Sequence, residues 1–99
     1  MTDKTWKATE RYYADRFGGE RVPITGRIRG NVPDIRHKWL SIEVKFRKEL
    51  PAWLHDAMDQ AQKSKRGEQL PVVILHQNGK KHDDDFIVMT TKDFEEWFL

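Results

Sequence analysis

Two carboxylates and one amine stand in this sequence at a spacing that suits phosphate chemistry. Asp34 follows a proline, and after eight intervening residues comes the segment Glu43-Val44-Lys45. Residues 40–46 alternate between apolar and polar side chains with a period of two, which is typical of a half-buried strand. Glu43 and Lys45 are therefore expected to project from the same face of that strand.

A hairpin would bring Asp34 to the same place. If the turn is centred between Lys38 and Trp39, Asp34 lies directly opposite Glu43, with the two side chains roughly 5 Å apart. Two carboxylates at that distance repel each other unless a cation lies between them. Oxygen ligands suit Mg²⁺, with Mn²⁺ as a substitute, and the carbonyl of Val44 could add a further oxygen.

The amine of Lys45 has a different role from the carboxylates. An ammonium beside a metal can orient the attacking water, or neutralise charge that develops on the scissile phosphate. The metal itself would polarise the phosphoryl oxygen. Together these groups predict a metal-dependent phosphodiester hydrolase, whereas the alternative is an ordinary salt-bridge pair on the solvent face of a strand.

The elements that would hold these residues are short. A helix is predicted over residues 5–17, ended by Gly18-Gly19. Strands are predicted at 20–25, 34–36 and 40–46, with an irregular segment at 26–32 and a turn at 37–39. A second helix begins at Leu50-Pro51 and fades over residues 63–67, and its apolar stripe is Leu54, Ala57, Met58 and Ala61.

The rest of the chain predicts two further strands and a helix. The apolar run 71–75 is typical of a central strand covered on both faces. Asn78-Gly79 indicates a turn, residues 80–85 extend that loop, and residues 86–89 form the partner strand. Thr91 then caps a final helix whose inward residues are Phe94, Trp97 and Phe98. The expected fold is α/β, a single domain over residues 1–99 with a small mixed five-stranded sheet flanked by helices, in the order αβββαββα.

Composition excludes several classes of protein. The 99 residues include no cysteine, so disulfides and cysteine-bound zinc are excluded. No apolar run approaches the length of about 20 residues that spans a bilayer, and no apolar leader is visible, so we expect a cytoplasmic protein without a membrane partner. The scattered histidines argue against a zinc hydrolase, and residues 82–85 are interpreted as a solvated loop. No Walker-type loop is present, so no nucleotide cofactor is expected.

Charge is distributed unevenly along the chain. Residues 1–49 carry 12 Lys and Arg against 7 Asp and Glu, whereas residues 50–99 carry 6 against 9. The basic half contains a glycine-bearing segment at 21–38, which suits contacts with phosphate groups. An ordinary solvated loop is the alternative interpretation of that segment.

The pattern of Pro33-Asp34 and Glu43-Val44-Lys45 resembles the namesake motif of the PD-(D/E)xK nuclease superfamily. Within it, roughly residues 5–98 are most similar to the archaeal-type Holliday junction resolvases, which include small phage-encoded members. Three segments add to the resemblance: Thr9-Glu10-Arg11 matches the helix with a catalytic Glu, residues 19–26 match a basic loop, and residues 57–61 match the helix after the motif strand.

This resemblance implies a restriction-endonuclease-like core and a homodimeric, Mg²⁺-dependent endonuclease that resolves branched, four-way DNA. The metal ligands would be Glu10, Asp34, Glu43 and the Val44 carbonyl. The catalytic set would also include Lys45, Gln60 and Thr25, which stands where many relatives have Ser. Candidates for binding DNA are the basic residues Arg11, Arg21, Arg27, Arg29, Arg36, Lys38 and Arg47.

Two alternatives stay open. The same centre could cut flapped, nicked or plain duplex DNA, because superfamily members differ most in substrate. A DNA-binding module without catalysis would use only the basic loop. The dimer surface is undefined, with candidate contacts at Trp39, Trp53, Trp97, Phe98 and Leu99.

Overall fold

The computed structural model of the protein describes residues 6–23 and 32–99. In these ranges the elements follow the predicted order αβββαββα: α1 (Trp6–Phe17), β1 (Glu20–Arg21), β2 (Ile35–Arg36), β3 (Ser41–Ile42), α2 (Ala52–Ser64), β4 (Val73–Leu75), β5 (Phe86–Val88) and α3 (Thr91–Phe98). The chain divides into two compact units between Lys48 and Glu49. The assignment of one domain to the whole chain stays a prediction.

The described strands form two sheets, so the prediction of a single five-stranded mixed sheet is wrong for these residues. One antiparallel sheet has the order β1-β2-β3, and β4 pairs antiparallel with β5 alone. Antiparallel neighbours need only short connections, whereas a mixed sheet would need β4 to join the first sheet through a parallel crossover. Instead, α2 packs against β4 within the second unit.

Helix α1 ends where the glycine pair predicts. Gly18 has a φ of +75°, in the left-handed region. The Gly19 N–H donates to the Ala14 carbonyl at 2.7 Å and the Gly18 N–H to the Asp15 carbonyl at 3.4 Å, which is the bonding pattern of a Schellman motif. A Cβ on Gly19 would lie 2.6 Å from a carbonyl oxygen of β2, so the helix end and the sheet approach each other closely.

The predicted register of the hairpin is confirmed. Ile35 pairs with Ile42 and Arg36 with Ser41, and Ile35 is fully buried at the centre of this unit. Strand β3 is nevertheless shorter than the predicted 40–46. The alternation continues past its end, with positions 42 and 44 half-buried and Glu43 and Lys45 exposed, but Phe46 breaks the pattern because it is exposed.

In the second unit, α2 begins directly after Pro51 and presents the predicted apolar stripe. The four stripe residues are half-buried while most of the helix is exposed: Leu54, Ala57, Met58 and Ala61. The stripe follows from residues recurring at three- and four-residue spacing, which places them on one face.

Strands β4 and β5 form a two-stranded ribbon. Ile74 pairs with Ile87, and these side chains are 55% and 61% exposed. The prediction that residues 71–75 are covered on both faces is therefore wrong, because a two-stranded ribbon packed on one helix leaves its other face open. The predicted turn is confirmed, since Gly79 has a φ of +88° and the Lys80 N–H donates to the Gln77 carbonyl at 3.0 Å.

Helix α3 begins one residue earlier than the predicted cap implies. The Thr90 hydroxyl accepts from the Asp93 N–H at 3.2 Å, so Thr90 is the N-cap and Thr91 the first helical residue. Phe94 is half-buried as expected, whereas Trp97 and Phe98 are exposed, so their predicted inward orientation is wrong. None of the helices in residues 6–23 and 32–99 has the length and apolarity needed to cross a membrane.

Candidate active site

Asp34 directly precedes β2, the central strand of the three-stranded sheet. Backbone hydrogen bonds connect it to the chain segments on either side of that strand. Its N–H donates to the Ile42 carbonyl at 3.0 Å, and its own carbonyl accepts from the Val22 N–H at 2.9 Å. The second bond extends the pairing of β1 with β2 by one residue. The first is one residue out of the Ile35–Ile42 register, in which the partner of Asp34 would be Glu43. The regular pairing of β2 with β3 therefore ends at Ile42 and does not extend to the predicted pair of Asp34 and Glu43.

The Asp34 side chain is also fixed. It is 4% exposed, and its Oδ2 accepts a hydrogen bond from the Val44 N–H at 2.7 Å. A bond from a backbone amide to an ionised carboxylate is stronger than a neutral one. The carboxylate is thus tied to the segment that also carries Glu43 and Lys45, so the conformation of that segment and the position of Asp34 depend on each other.

Glu10 is the second buried carboxylate of this unit. It lies on α1, is 4% exposed, and its Oε1 accepts from the Arg21 Nε at 2.8 Å. A charge removed from water in this way is costly unless it is paired, and the guanidinium of Arg21 offsets that cost. The Arg21 guanidinium also lies 6.0 Å from the centre of the Trp6 ring.

One surface pocket gathers the predicted metal ligands. Its volume is about 250 Å³, and its lining comes entirely from the first unit: Trp6, Glu10, Asp34, Glu43, Val44, Lys45, Phe46 and Arg47. Glu10 and Asp34 close it from the buried side, while Glu43 and Lys45 are exposed at its rim. Every side chain predicted to hold Mg²⁺, together with the predicted catalytic lysine, therefore lies around one opening.

The donor atoms of this pocket are carboxylate and carbonyl oxygens, the ligands that a hard cation such as Mg²⁺ prefers. These donor atoms line one pocket, but they do not form a compact group of metal ligands. Among the residues that the structure describes, the one group of at least three acidic or histidine residues with ligand atoms mutually within 4.8 Å lies elsewhere. Glu43 is the exposed carboxylate of this pocket, whereas Glu10 and Asp34 are each 4% exposed.

The remaining predicted residues are placed as follows. Gln60 is exposed on α2, in the second unit, whereas the pocket lining comes from the first. Arg21 is engaged with Glu10, and Arg36 lies 3.7 Å from the carboxylate of Glu20 with both side chains largely exposed. Arg11 and Lys38 are exposed, and Arg47 lines the pocket. Three predicted residues lie outside the described ranges: Thr25, Arg27 and Arg29.

Sequence reasoning missed the part that His37 has in the hairpin. Its Nε2 lies 2.8 Å from the Phe17 carbonyl oxygen, and its Nδ1 lies 3.3 Å from the N–H groups of both Trp39 and Leu40. A carbonyl only accepts and an amide only donates, so the ring is the tautomer protonated on Nε2. His37 thereby connects the end of α1 to the turn that sets the register. No periodic pattern marks a contact of this kind.

A second missed group lies in the other unit. His76, His82 and Asp85 have their ligand atoms within 4.8 Å of one another. The register of the ribbon, extended by one pair beyond Leu75 and Phe86, places His76 opposite Asp85, and the sequence pattern alone did not predict that register. His82 reaches the same place through a short 3-10 helix at His82–Asp84, which the interpretation of residues 82–85 as a solvated loop did not anticipate.

Comparison of the chain with protein-family models, with curated proteins and with solved structures finds no match in any of the three.

Proposed function

We propose that the protein is a Mg²⁺-dependent, structure-specific DNA endonuclease that resolves four-way junctions by phosphodiester hydrolysis. One observation carries the proposal: a single pocket brings together Glu10, Asp34, Glu43 and Lys45, and a 2.7 Å bond from the Val44 N–H holds the Asp34 carboxylate within it. Nearly complete burial of two carboxylates beside a third is unfavourable unless their charges are compensated, and a metal ion would add to the compensation that Arg21 gives to Glu10 and the Val44 N–H gives to Asp34. An ordinary surface salt bridge requires no such burial.

The donor set supports Mg²⁺ as the cofactor, with Mn²⁺ as a substitute. Glu10, Asp34, Glu43 and the Val44 carbonyl would hold the ion, and all four supply oxygen. When bound, Mg²⁺ supplies polarisation of the phosphoryl oxygens. The Arg21 guanidinium, bonded to Glu10 at 2.8 Å, orients that carboxylate, which lines the pocket.

The cations at the rim would act on the substrate. Lys45 and Arg47 line the same pocket as the carboxylates and are exposed. The Lys45 ammonium would neutralise charge that develops on the scissile phosphate or orient the attacking water. The Arg47 guanidinium would hold a neighbouring phosphate, since its planar fork matches two phosphate oxygens.

The choice of a four-way junction as substrate and the phage origin come from the resemblance to resolvases, whereas the cytoplasmic location comes from the composition of the chain. Two opposed cuts require two active centres, so the proposal includes a homodimer. Exposed aromatic side chains support it, because Trp39, Trp53 and Trp97 are each more than half exposed and large apolar surface is more often covered in an assembly. Sedimentation of the chain with junction DNA tests this, and a monomer at micromolar concentration would contradict the dimer.

Cleavage assays test the function. A labelled four-way junction should be cut at paired positions with Mg²⁺ and not with a chelator, and faster than flapped, nicked or linear duplexes. Glu43→Gln should abolish cutting and preserve junction binding, because it removes a metal-binding charge at an exposed position. Glu68→Gln is the matched control, since Glu68 is also exposed but belongs to the second unit.

Two other outcomes of the cleavage assay would lead to different conclusions about the substrate and the activity. Faster cutting of flapped, nicked or plain duplex DNA, still sensitive to Glu43→Gln, would retain the catalytic centre and reject the junction as its substrate. Binding of DNA without cutting of any substrate, at any Mg²⁺ or Mn²⁺ concentration, would reject the enzyme and favour a binding module.

A further inference from the structure

The loop between β4 and β5 places three potential ligands around one point. Leu75 pairs with Phe86 as the last pair of the ribbon, so the next positions, His76 and Asp85, face each other. The intervening chain then folds back through the His82–Asp84 3-10 helix. Its backbone is held independently of the side chains, because the Asp85 N–H donates to the His82 carbonyl at 3.0 Å.

The three side chains converge on the Asp85 carboxylate. One oxygen lies 2.6 Å from the His76 Nδ1, and the other lies 3.2 Å from the His82 Nδ1. The two imidazole rings stack with their centres 4.5 Å apart and their planes at 29°. Each Nδ1 therefore points at the same carboxylate, and a cation bound by all three side chains would replace these two hydrogen bonds.

The surroundings leave one side of the group open. His76 and Asp85 line a depression of about 610 Å³ whose charged neighbours are Lys80 and Asp84. Asp84 adds a further carboxylate at this opening, while the Lys80 ammonium is the cation that faces it. A bound ion with three protein ligands could therefore take its next ligand from solvent on this side.

We propose that His76, His82 and Asp85 form a binding site for one divalent transition-metal ion of the zinc class. Two imidazole nitrogens and a carboxylate oxygen are ligands that Zn²⁺ prefers, whereas Mg²⁺ prefers oxygen alone. The site belongs to the second unit and shares no residue with the nuclease pocket. Its ion joins the two ends of the loop between β4 and β5, so it stabilises the ribbon.

Metal titration of the untagged full chain tests the site without DNA. Calorimetry after treatment with a chelator should show one Zn²⁺ per chain that excess Mg²⁺ does not displace, and Co²⁺ should give visible absorption bands of nitrogen and oxygen ligation. Zn²⁺ at about 100 times its dissociation constant should raise the melting temperature, since it binds only the folded state.

Conservative variants assign the ligands. His76→Gln, His82→Gln and Asp85→Asn should each weaken Zn²⁺ binding by about tenfold or more. His55→Gln is the matched control, because His55 is exposed on α2 outside the group, and it should bind as the parent chain does. Circular dichroism in the presence of a chelator shows whether each variant retains its fold.

Two results would overturn the assignment. One is a parent chain that binds no Zn²⁺ or Co²⁺ at 1:1 stoichiometry. The other is a folded His76→Gln or Asp85→Asn variant with unchanged affinity. Because neither measurement involves DNA or Mg²⁺, failure here leaves the nuclease proposal standing, and failure of the cleavage assay leaves this one standing.

Discussion

Asp34 has two separable properties, a charge and a hydrogen bond, and two substitutions separate them. Asp34→Asn removes the charge but keeps an oxygen that can accept from the Val44 N–H, now 2.7 Å from Oδ2. Asp34→Ala removes both and leaves a part-buried amide without its partner. If the pocket binds a metal, both variants should be inactive, but only the alanine variant should be strongly destabilised.

The magnitudes follow from the burial of the side chain. Asp34 is 4% exposed, so water cannot replace the lost acceptor, and an unsatisfied buried donor costs about 1–3 kcal/mol. Hydrogen bonds to charged groups contribute roughly 1.5–3 kcal/mol, so Asp34→Ala should lower the free energy of unfolding by about 2–3 kcal/mol. Asp34→Asn keeps a weaker, neutral bond to the Val44 N–H, so its change should stay within about 1 kcal/mol.

The assay combines urea denaturation with single-turnover cleavage of a four-way junction in Mg²⁺. Asp34→Asn should cut at least about 100-fold more slowly than the parent, equivalent to about 2.7 kcal/mol in the activation barrier. Asp59→Asn, at an exposed position of α2, is the control for loss of one carboxylate charge. A rate for Asp34→Asn equal to that of the parent would refute the metal-binding role, and equal stability of the two Asp34 variants would refute the hydrogen-bond argument.

Three further substitutions test the framework of the site by urea denaturation. Arg21→Gln should destabilise the fold by about 2–4 kcal/mol, because it leaves the buried Glu10 charge without its ion pair. Stability equal to the parent's would mean that water reaches that carboxylate. Gly19→Ala should cost about 1–3 kcal/mol, since its Cβ would lie 2.6 Å from a carbonyl oxygen of β2, and a neutral result would mean that the helix end can move away. His37→Ala should cost about 2 kcal/mol through its lost hydrogen bonds, whereas His55→Ala at an exposed position should change stability by less than about 0.5 kcal/mol. Equal effects of the two histidine substitutions would contradict the role of His37 in the hairpin.

Local sequence patterns were sufficient to predict the register of the β2–β3 hairpin and the half-buried face of α2. The period-two alternation and the position of the turn predicted that Ile35 pairs with Ile42, and the structure has this register. The helical stripe that includes Leu54 and Met58 is likewise the half-buried face of α2. Both features depend on neighbours within a few residues, so the sequence determines them before any tertiary contact forms.

Those patterns did not predict which strands join into one sheet. An apolar run such as residues 71–75 looks the same whether its strand is central or at an edge, and the structure leaves Ile74 more than half exposed in a two-stranded ribbon. The number of partners that a strand acquires depends on segments distant in the sequence. Periodicity carries no information about them.

In the candidate sites, too, the sequence predicts some of the contacts, and others depend on the tertiary structure. The sequence alone predicted that Asp34 and the segment that carries Glu43 come together, because one turn separates them, and both line one pocket. Only the tertiary structure decided that Glu10 is buried against Arg21, and that His76 and His82 meet at one carboxylate. Such contacts join residues on different elements, and their distances depend on how those elements pack rather than on the spacing of residues along the chain.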